Sequence, residues 1–158
     1  MGCGGMASAT QNHTTRVMHT TNDMPTEPAE LEALLVAARQ VAGRAYAPYS
    51  RFRVGAAVRD ADGAHYAGCN VENASYGLTV CAERNAIFAA VAGGARRPFG
   101  ALALVCLDAA PGPGGCMPCG ACRQVMAEHL TPEAPVAVAG VGTFSMAELL
   151  PHGFQLPH

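Results

Sequence analysis

Two short cysteine-containing stretches decide the fold: residues 79–84 (TVCAER) and residues 117–124 (MPCGACRQ). Read together they give the pattern C-x-E and, after a gap, P-C-x-x-C. Cys119 and Cys122 lie one helical turn apart, so a helix that starts here turns both sulfur atoms to the same side. Cys81 is followed by an alanine-rich stretch with few helix breakers, which predicts a second helix start. The two stretches therefore predict two helix N-termini that converge on one place.

The three cysteines of these stretches are suited to hold a zinc ion. Thiolates are good ligands of Zn²⁺, and three protein ligands leave the fourth position of the metal open to water. The positive end of a helix dipole also favours a thiolate. Glu83 lies two residues past Cys81, and such a carboxylate can accept a proton from an activated water and return it to a substrate nitrogen. The pattern is that of zinc deaminases acting on nucleobases, with Cys in place of His.

The composition favours one domain and a small, uncharged substrate. The chain has 158 residues, half of them hydrophobic, which is enough for one domain with a core. Its formal net charge is −2, it contains no lysine, and no basic run is longer than Arg96-Arg97. A protein that binds the phosphate backbone normally has a basic face. We therefore expect a small-molecule partner and no polynucleotide.

The cysteine content could also indicate disulfide bonds. The seven cysteines are an odd number, however, and the N-terminus lacks the basic segment followed by an apolar run that marks a secreted protein. No apolar stretch approaches the length needed to cross a bilayer. We therefore expect a cytoplasmic protein with reduced thiols and no membrane partner, in which Cys69 and Cys106 are buried small side chains.

The spacing of apolar residues predicts an α/β fold. Helical periodicity predicts a first helix over residues 31–45, started by Thr26 and Pro28. The other expected elements are strands at 54–58 and 64–69 that form a hairpin, a helix at 82–91, a buried central strand at 101–107, a helix at 119–130, a strand at 136–139 and a short helix at 145–150 capped by Ser145. With a fifth strand near the C-terminus, this order predicts a mixed five-stranded sheet with helices on both faces.

The N-terminal residues differ from the rest in composition. Residues 1–27 are small and polar and show no periodicity. We predict that they form a disordered extension, followed by a single domain over residues 28–158.

Five stretches carry a resemblance to a known family. They are residues 47–50 (APYS), 52–57 (FRVGAA), 68–77 (GCNVENASYG), 81–84 (CAER) and 118–124 (PCGACRQ). Together they closely resemble the cytidine deaminases, in particular the short, single-domain, homotetrameric type with three cysteine ligands. The resemblance runs from about residue 29 to the C-terminus. It implies zinc-dependent hydrolytic deamination of cytidine and 2′-deoxycytidine to uridine and 2′-deoxyuridine, with release of ammonia, in pyrimidine salvage.

The resemblance also implies a role for each site residue. Cys81, Cys119 and Cys122 would hold zinc, Glu83 would transfer the proton, and Arg84 would contact the zinc thiolates. The expected substrate contacts are Phe52, Asn70, Glu72, Tyr76, the backbone of Ala82 and, from a neighbouring subunit, Phe154. An amide and a carboxylate suit the ribose because a sugar hydroxyl both donates and accepts hydrogen bonds.

Other interpretations stay open at this point. Cys116 extends the second stretch to C-x-x-C-x-x-C, so the site could be a structural zinc site with four ligands. Phe52 and Tyr76 could be core aromatics, and the ring of Phe154 could fold back onto its own core. The chain could also deaminate another cytosine nucleoside, or be a zinc-stabilised binding protein without turnover.

Overall fold

A mixed five-stranded sheet with helices on both faces forms the structure, as the sequence predicts. The computed structural model describes residue 1, residues 26–110, residue 112 and residues 114–156. The helices are α1 (Pro28–Ala42), α2 (Ala82–Ala92), α3 (Gly120–His129) and α4 (Met146–Leu149), with a 3₁₀ turn at Tyr76–Leu78. The strands are β1 (Val54–Arg59), β2 (His65–Cys69), β3 (Ala101–Cys106), β4 (Pro135–Val138) and β5 (Gly142–Ser145).

The sheet has the strand order β2-β1-β3-β4-β5. β1 pairs antiparallel with both β2 and β3, β3 pairs parallel with β4, and β4 pairs antiparallel with β5. The central strand β3 is buried from Ala101 to Val105 because helices cover both faces of the sheet. The unbroken apolar run in the sequence has this physical origin.

Alternate residues of β3 pack into two hydrophobic clusters on opposite faces of the sheet. Ala103 packs with Leu34 and Ala38 of α1 on one face. Leu102 and Leu104 belong to the larger cluster, which includes buried residues of α2 and α3. The first turns of α2 and α3 therefore lie on the same face of the sheet, where their N-termini can meet.

Two glycines determine how closely the helices approach the sheet. A Cβ added at Gly55 in β1 would lie 2.0 Å from the carbonyl oxygen of Ala38, and one at Gly68 in β2 would lie 2.3 Å from the backbone nitrogen of Ala86. Both distances are far inside van der Waals contact, so only glycine permits this approach. The close packing of α2 on β2 fixes where the N-terminus of α2 lies.

The predicted start of the C-terminal helix α4 is confirmed, whereas the start of the N-terminal helix α1 differs from the prediction. Ser145 caps α4 as predicted. At α1, the residue before the helix is Glu27 and not Thr26, and the Glu27 backbone N–H donates to the Glu30 carboxylate at 3.3 Å. The Thr26 hydroxyl donates instead to the carbonyl oxygen of Gly100 at 3.2 Å, a long-range contact that local sequence rules do not anticipate.

The prediction that all cysteines are reduced is wrong. Cys106, at the end of β3, and Cys116 form a disulfide with a Cα–Cα distance of 5.8 Å. The chain between them returns to the end of β3, which brings together two residues ten positions apart. Cys106 is therefore not simply a small buried side chain, and Cys69 is only half-buried. The free cysteines among the described residues are Cys69, Cys81, Cys119 and Cys122.

The predicted disordered extension, residues 1–27, falls largely outside the residues that the structure describes. Its last two residues, Thr26 and Glu27, already contact the domain as given above. Within the described part of the chain, every helix is too short or too polar to cross a membrane.

Candidate active site

Three free cysteines converge at the N-termini of α2 and α3. Cys81 immediately precedes α2, Cys119 immediately precedes α3, and Cys122 lies in the first turn of α3. Their Sγ atoms all lie within 4.8 Å of one another, and the Sγ atoms of Cys119 and Cys122 are 3.5 Å apart. The two predicted helix starts thus meet as expected.

The spacing of the three sulfur atoms fits a tetrahedral zinc ion. Zn–S bonds of about 2.3 Å at tetrahedral angles place the sulfurs about 3.8 Å apart, close to the spacing found here. The alternative of a fourth ligand at Cys116 does not fit, because the sulfur of Cys116 is bonded to Cys106. The cluster could therefore hold a metal with three protein ligands and one open position.

The thiols of the cluster share protons unequally. The pKa of Cys81 is lowered to about 5, mainly by a hydrogen bond from Cys122 and in part by the guanidinium of Arg84. The same interaction, together with burial, raises the pKa of Cys122. Of this pair, Cys81 is therefore the thiolate, and it lies at the positive end of α2.

Arg84 lies directly behind the cluster. Its Nη2 donates to the Sγ of Cys81 at 3.6 Å and to the carbonyl oxygen of Thr79 at 3.1 Å. Its Nε is buried without a partner among the described residues, so the guanidinium has a further donor to offer. The resemblance implies that Arg84 contacts the zinc thiolates, and in this structure its guanidinium contacts the Cys81 sulfur.

Glu83 lies in the first turn of α2 beside the thiols and is 4% exposed. The pKa of its carboxyl group is raised to about 7, mainly by burial and in part by the nearby Cys81 thiolate, while hydrogen bonds to the carboxylate oppose the shift. A carboxyl group whose pKa lies near neutrality can both accept and return a proton. The side chain faces a cavity, so a bound molecule can reach it.

The cavity has a volume of about 450 Å³, which is the size of a small-molecule site. It lies between the first turn of α2, the segment that leads into β1 and the chain before α3. Its lining includes Ser50, Phe52, Val54, Asn70, Glu72, Thr79, Cys81, Ala82, Glu83, Leu104, Met117 and Cys119. The disulfide between Cys106 and Cys116 lines it as well.

Asn70 joins the end of β2 to the start of β1. Its side-chain oxygen accepts a hydrogen bond from the Val54 N–H at 2.8 Å, and its Nδ2 donates to the carbonyl oxygen of Phe52 at 2.9 Å. These two bonds hold the backbone on both sides of residue 53, so they fix where Phe52 enters the cavity. Asn70 keeps one further donor and one further lone pair for a ligand.

Glu72 is held by the loop before β1. Its carboxylate accepts hydrogen bonds from the backbone N–H groups of Tyr49 and Ser50 at 2.9 and 3.2 Å, and from the Ser50 hydroxyl. The Ser50 hydroxyl is the main reason why the pKa of Glu72 is lowered. Glu72 therefore stays ionised at the rim of the cavity and can accept hydrogen bonds from a ligand.

Two predicted substrate contacts lie outside the cavity of this single chain. Tyr76 is 77% exposed and lies edge-on to Tyr49, with ring centroids 6.2 Å apart. Phe154 is 69% exposed and follows α4. The alternatives that placed the Tyr76 and Phe154 rings in the core are therefore wrong, whereas Phe52 lines the cavity.

Sequence reasoning gave no role to three groups that shape this site. Ser50 orients Glu72, and Asp108 accepts hydrogen bonds from the backbone N–H, Nε and Nη2 of Arg53 at 2.7 to 2.9 Å. Gln124 holds the backbone of Phe154. Ser50 and Gln124 stand in stretches that carried the resemblance, but each partner is more than 20 residues away. Sequence spacing contains no signal for such contacts.

A family model for the cytidine and deoxycytidylate deaminase zinc-binding region matches residues 28–138. The match includes both cysteine stretches, Glu83 and every cavity residue named above. Fold and site together define the class of protein: a hydrolytic deaminase built around a cysteine cluster that could hold a metal.

Relatives and solved structures agree with this class. A cytidine deaminase from Sporosarcina psychrophila is 43% identical over 130 residues, which cover 80% of this chain and 92% of the relative. The crystal structure of a cytidine deaminase from Burkholderia pseudomallei matches with a TM-score of 0.70 and 49% identity, over 78% of this chain and 98% of that one. The cytidine deaminase from Mycobacterium tuberculosis matches with a TM-score of 0.69 and 44% identity, over 79% and 97% of the two chains. The chain belongs to the cytidine deaminase family.

Proposed function

We propose that this enzyme hydrolyses cytidine and 2′-deoxycytidine to uridine and 2′-deoxyuridine and releases ammonia, with zinc as its metal. The observation that carries the proposal is a cluster of three converging thiols, of which Cys81 and Cys119 line one cavity together with the buried carboxyl group of Glu83. These are the groups that hydrolytic removal of an amino group from a pyrimidine requires.

The metal and Glu83 divide the chemistry. Zinc held by Cys81, Cys119 and Cys122 would supply a Lewis acid that lowers the pKa of a water at its open position. The carboxylate form of Glu83, which is favoured beside a cation, accepts a proton from the attacking water and delivers it to ring N3. Glu83 then takes the second proton of the same water from the new hydroxyl group on C4. It transfers this proton to the amino group at C4, which leaves as ammonia. One water is consumed, and the C4–N bond is replaced by a C4–O bond.

Arg84 adjusts the charge of the cluster. Three thiolates carry more negative charge than Zn²⁺ neutralises, which weakens the metal as a Lewis acid. A hydrogen bond from Arg84 to Cys81 withdraws electron density from that sulfur and offsets part of the effect. The same bond fixes the orientation of the ligand.

The nucleoside is oriented by residues on the other side of the cavity. We propose that Asn70 and ionised Glu72 bind the ribose hydroxyls, for which both have free hydrogen-bonding capacity.

The pyrimidine ring is bound by a different set of residues. Phe52 supplies apolar contact area, and the backbone of Ala82 binds the pyrimidine beside Glu83. Tyr76, which lies edge-on to Tyr49 and outside the cavity of its own chain, is also proposed to contact the substrate.

We further propose that Phe154 completes the site of a neighbouring subunit in a homotetramer. In support, its ring is exposed and lies outside the cavity of its own chain. An exposed aromatic ring is suited to stack on a flat heterocycle. Closure of the cavity by a second copy would also exclude water around the reacting groups.

Metal analysis joined to an absorbance assay on cytidine, 2′-deoxycytidine and cytosine tests the proposed function. We expect about one zinc per chain and turnover of both nucleosides, but not of cytosine, which lacks the sugar that Asn70 and Glu72 bind. Turnover of a different cytosine nucleoside in place of these two would redefine the substrate. Full zinc occupancy without turnover of any of them would identify a binding protein.

The cellular setting is part of the same proposal. We propose a role in pyrimidine salvage in the cytoplasm, where the free cluster cysteines would remain reduced. The disulfide between Cys106 and Cys116 argues in the opposite direction. Fractionation of the producing cell followed by the deamination assay tests the proposed location. Activity outside the cytoplasmic fraction would contradict it.

A further inference from the structure

The outer side of α3 holds the C-terminal segment through one side-chain amide. Nε2 of Gln124 donates to the carbonyl oxygen of Phe154 at 2.7 Å, and the N–H of Phe154 donates to Oε1 of Gln124 at 3.2 Å. The two residues are 30 positions apart, and Gln124 follows the ligand Cys122 by two positions. A single planar amide thus binds both backbone polar groups of Phe154.

Arg123, the neighbour of Gln124, ties the same segment to the metal end of α3. Its Nε donates to the carbonyl oxygen of Pro118 at 2.9 Å, and its Nη1 donates to the carbonyl oxygen of Leu149 at 2.9 Å. Pro118 directly precedes the ligand Cys119. The last residue of α4 and the backbone of Phe154 are therefore both connected to the first half of α3, through two adjacent residues of that helix.

These bonds hold the backbone of Phe154 and leave its ring free. With the N–H and C=O groups both bound, the direction of the Cα–Cβ bond is set relative to α3, while the ring remains 69% exposed. The preceding Gly153 keeps the chain close to Leu150, since a Cβ at residue 153 would lie 2.9 Å from Leu150 Cδ2. The segment is held in a defined path although it has no regular secondary structure.

We propose that Gln124 is a positioning residue that presents the ring of Phe154 to the nucleoside, and so couples substrate affinity to the helix that carries the metal ligand Cys122. The inference rests on the proposed function, in which Phe154 contacts the substrate of a neighbouring copy. Gln124 is neither a lining residue of the cavity nor a member of the cysteine cluster. Substitution of Gln124 should therefore change KM, and only because it alters the position of Phe154.

The test compares Gln124→Met, Phe154→Ala and the double variant. Methionine has the length of glutamine but neither hydrogen-bonding group, so Gln124→Met removes both bonds to Phe154. We expect KM for cytidine to rise by roughly two- to tenfold, the range open to loss of one aromatic contact, with kcat and zinc content unchanged. In the Phe154→Ala background the same substitution should leave KM unaltered, because the two residues act as one unit.

Two further variants sharpen the comparison. Gln124→Glu keeps an acceptor for the Phe154 N–H but places a carboxylate oxygen against the Phe154 carbonyl, so it should also raise KM. This variant serves as the test if Gln124→Met does not fold. Gln40→Met is the matched control: Gln40 is an exposed glutamine of helix α1 with no side-chain hydrogen bond among the described residues, and KM should stay at the wild-type value.

Amide hydrogen exchange gives a second reading that does not depend on activity. The N–H of Phe154 should exchange faster in Gln124→Met than in the wild-type enzyme and the Gln40→Met control. Unchanged exchange and unchanged KM would overturn the inference, as would equal increases in KM with and without the Phe154 ring. Loss of zinc or of assembly in Gln124→Met would assign Gln124 a structural role instead. If the wild-type enzyme shows no turnover, the proposed function fails, and the exchange rates alone decide whether Gln124 holds Phe154.

Discussion

Metal binding by the cluster would contribute to folding energy at single residues. Cys119 immediately precedes α3, and its sulfur lies 3.5 Å from that of Cys122. We predict that Cys119→Ala lowers zinc content and thermal stability together, because the binding energy of a metal is partly folding energy. Elemental analysis and thermal unfolding of the purified variant check this. In contrast, the half-buried free Cys69 lies outside the cluster, so Cys69→Ala should keep full zinc content.

Arg53 and Asp108 provide a prediction about pH. Hydrogen bonds from the side chain and backbone of Arg53 lower the pKa of Asp108 to about 2. The pair contributes while Asp108 is ionised, hence fully above the unfolded pKa of about 3.9, and its contribution is lost as the pH falls through the folded value. An NMR titration of the Asp108 carboxyl carbon should therefore show a midpoint near 2. In Arg53→Gln the midpoint should move up toward the ordinary range; a wild-type midpoint near 4 would show that the pair does not form in solution.

At the scale of helices and strands, local sequence patterns were sufficient to predict most of the fold. The apolar run of β3, the Ser145 cap and the two cysteine-led helix starts were all predicted, because each depends on neighbours along the chain. The contact of Thr26 with Gly100 spans 74 positions and was missed. So was the disulfide, which depends on how the chain after β3 turns back toward it.

Removal of the disulfide should affect the stability of the fold but not the metal content. Because Cys116 is bonded to Cys106 and lies outside the cluster, Cys116→Ala should leave zinc content unchanged. Under oxidising conditions it should lower the unfolding free energy by about 2–4 kcal/mol, the usual effect of opening a closed loop. Thermal unfolding with and without reductant measures this, since reduction should remove the difference between variant and wild type. Loss of zinc in Cys116→Ala would restore the four-ligand structural interpretation.

At the scale of the whole molecule, one chain brings together some of the predicted site residues but not all of them. Cys81, Cys119, Glu83 and Phe52 line one cavity, and the sulfur of buried Cys122 lies within 4.8 Å of the other two sulfurs. Tyr76 and Phe154 are not, and no spacing rule could say whether they join the site of their own chain or of another. Their roles came from the resemblance alone and remain proposals. The bonds that hold Glu72 and Phe154 became visible only in three dimensions.

Assembly provides the prediction for the whole molecule. We predict that the protein sediments as a tetramer and that removal of residues 148–158 costs both assembly and activity. Phe154→Ala should weaken cytidine binding by roughly 0.5–1.5 kcal/mol, the contribution of an aromatic pair beyond area burial, while zinc is kept. Leu156→Ala, which removes an exposed apolar side chain two residues further on, is the control for general effects on this segment. A monomer with full activity would contradict the shared site.

In the proposed mechanism Glu83 transfers protons beside a three-thiolate metal site, and ammonia release from cytidine by Glu83→Gln tests this role. Glutamine has the shape of the carboxylate but cannot accept and return a proton, so the variant should keep its zinc and lose at least ~10²-fold in turnover. Glu32→Gln, the same substitution at an exposed position of α1, should retain wild-type turnover. A zinc-loaded Glu83→Gln enzyme that releases ammonia at a rate close to that of the wild type would contradict the account.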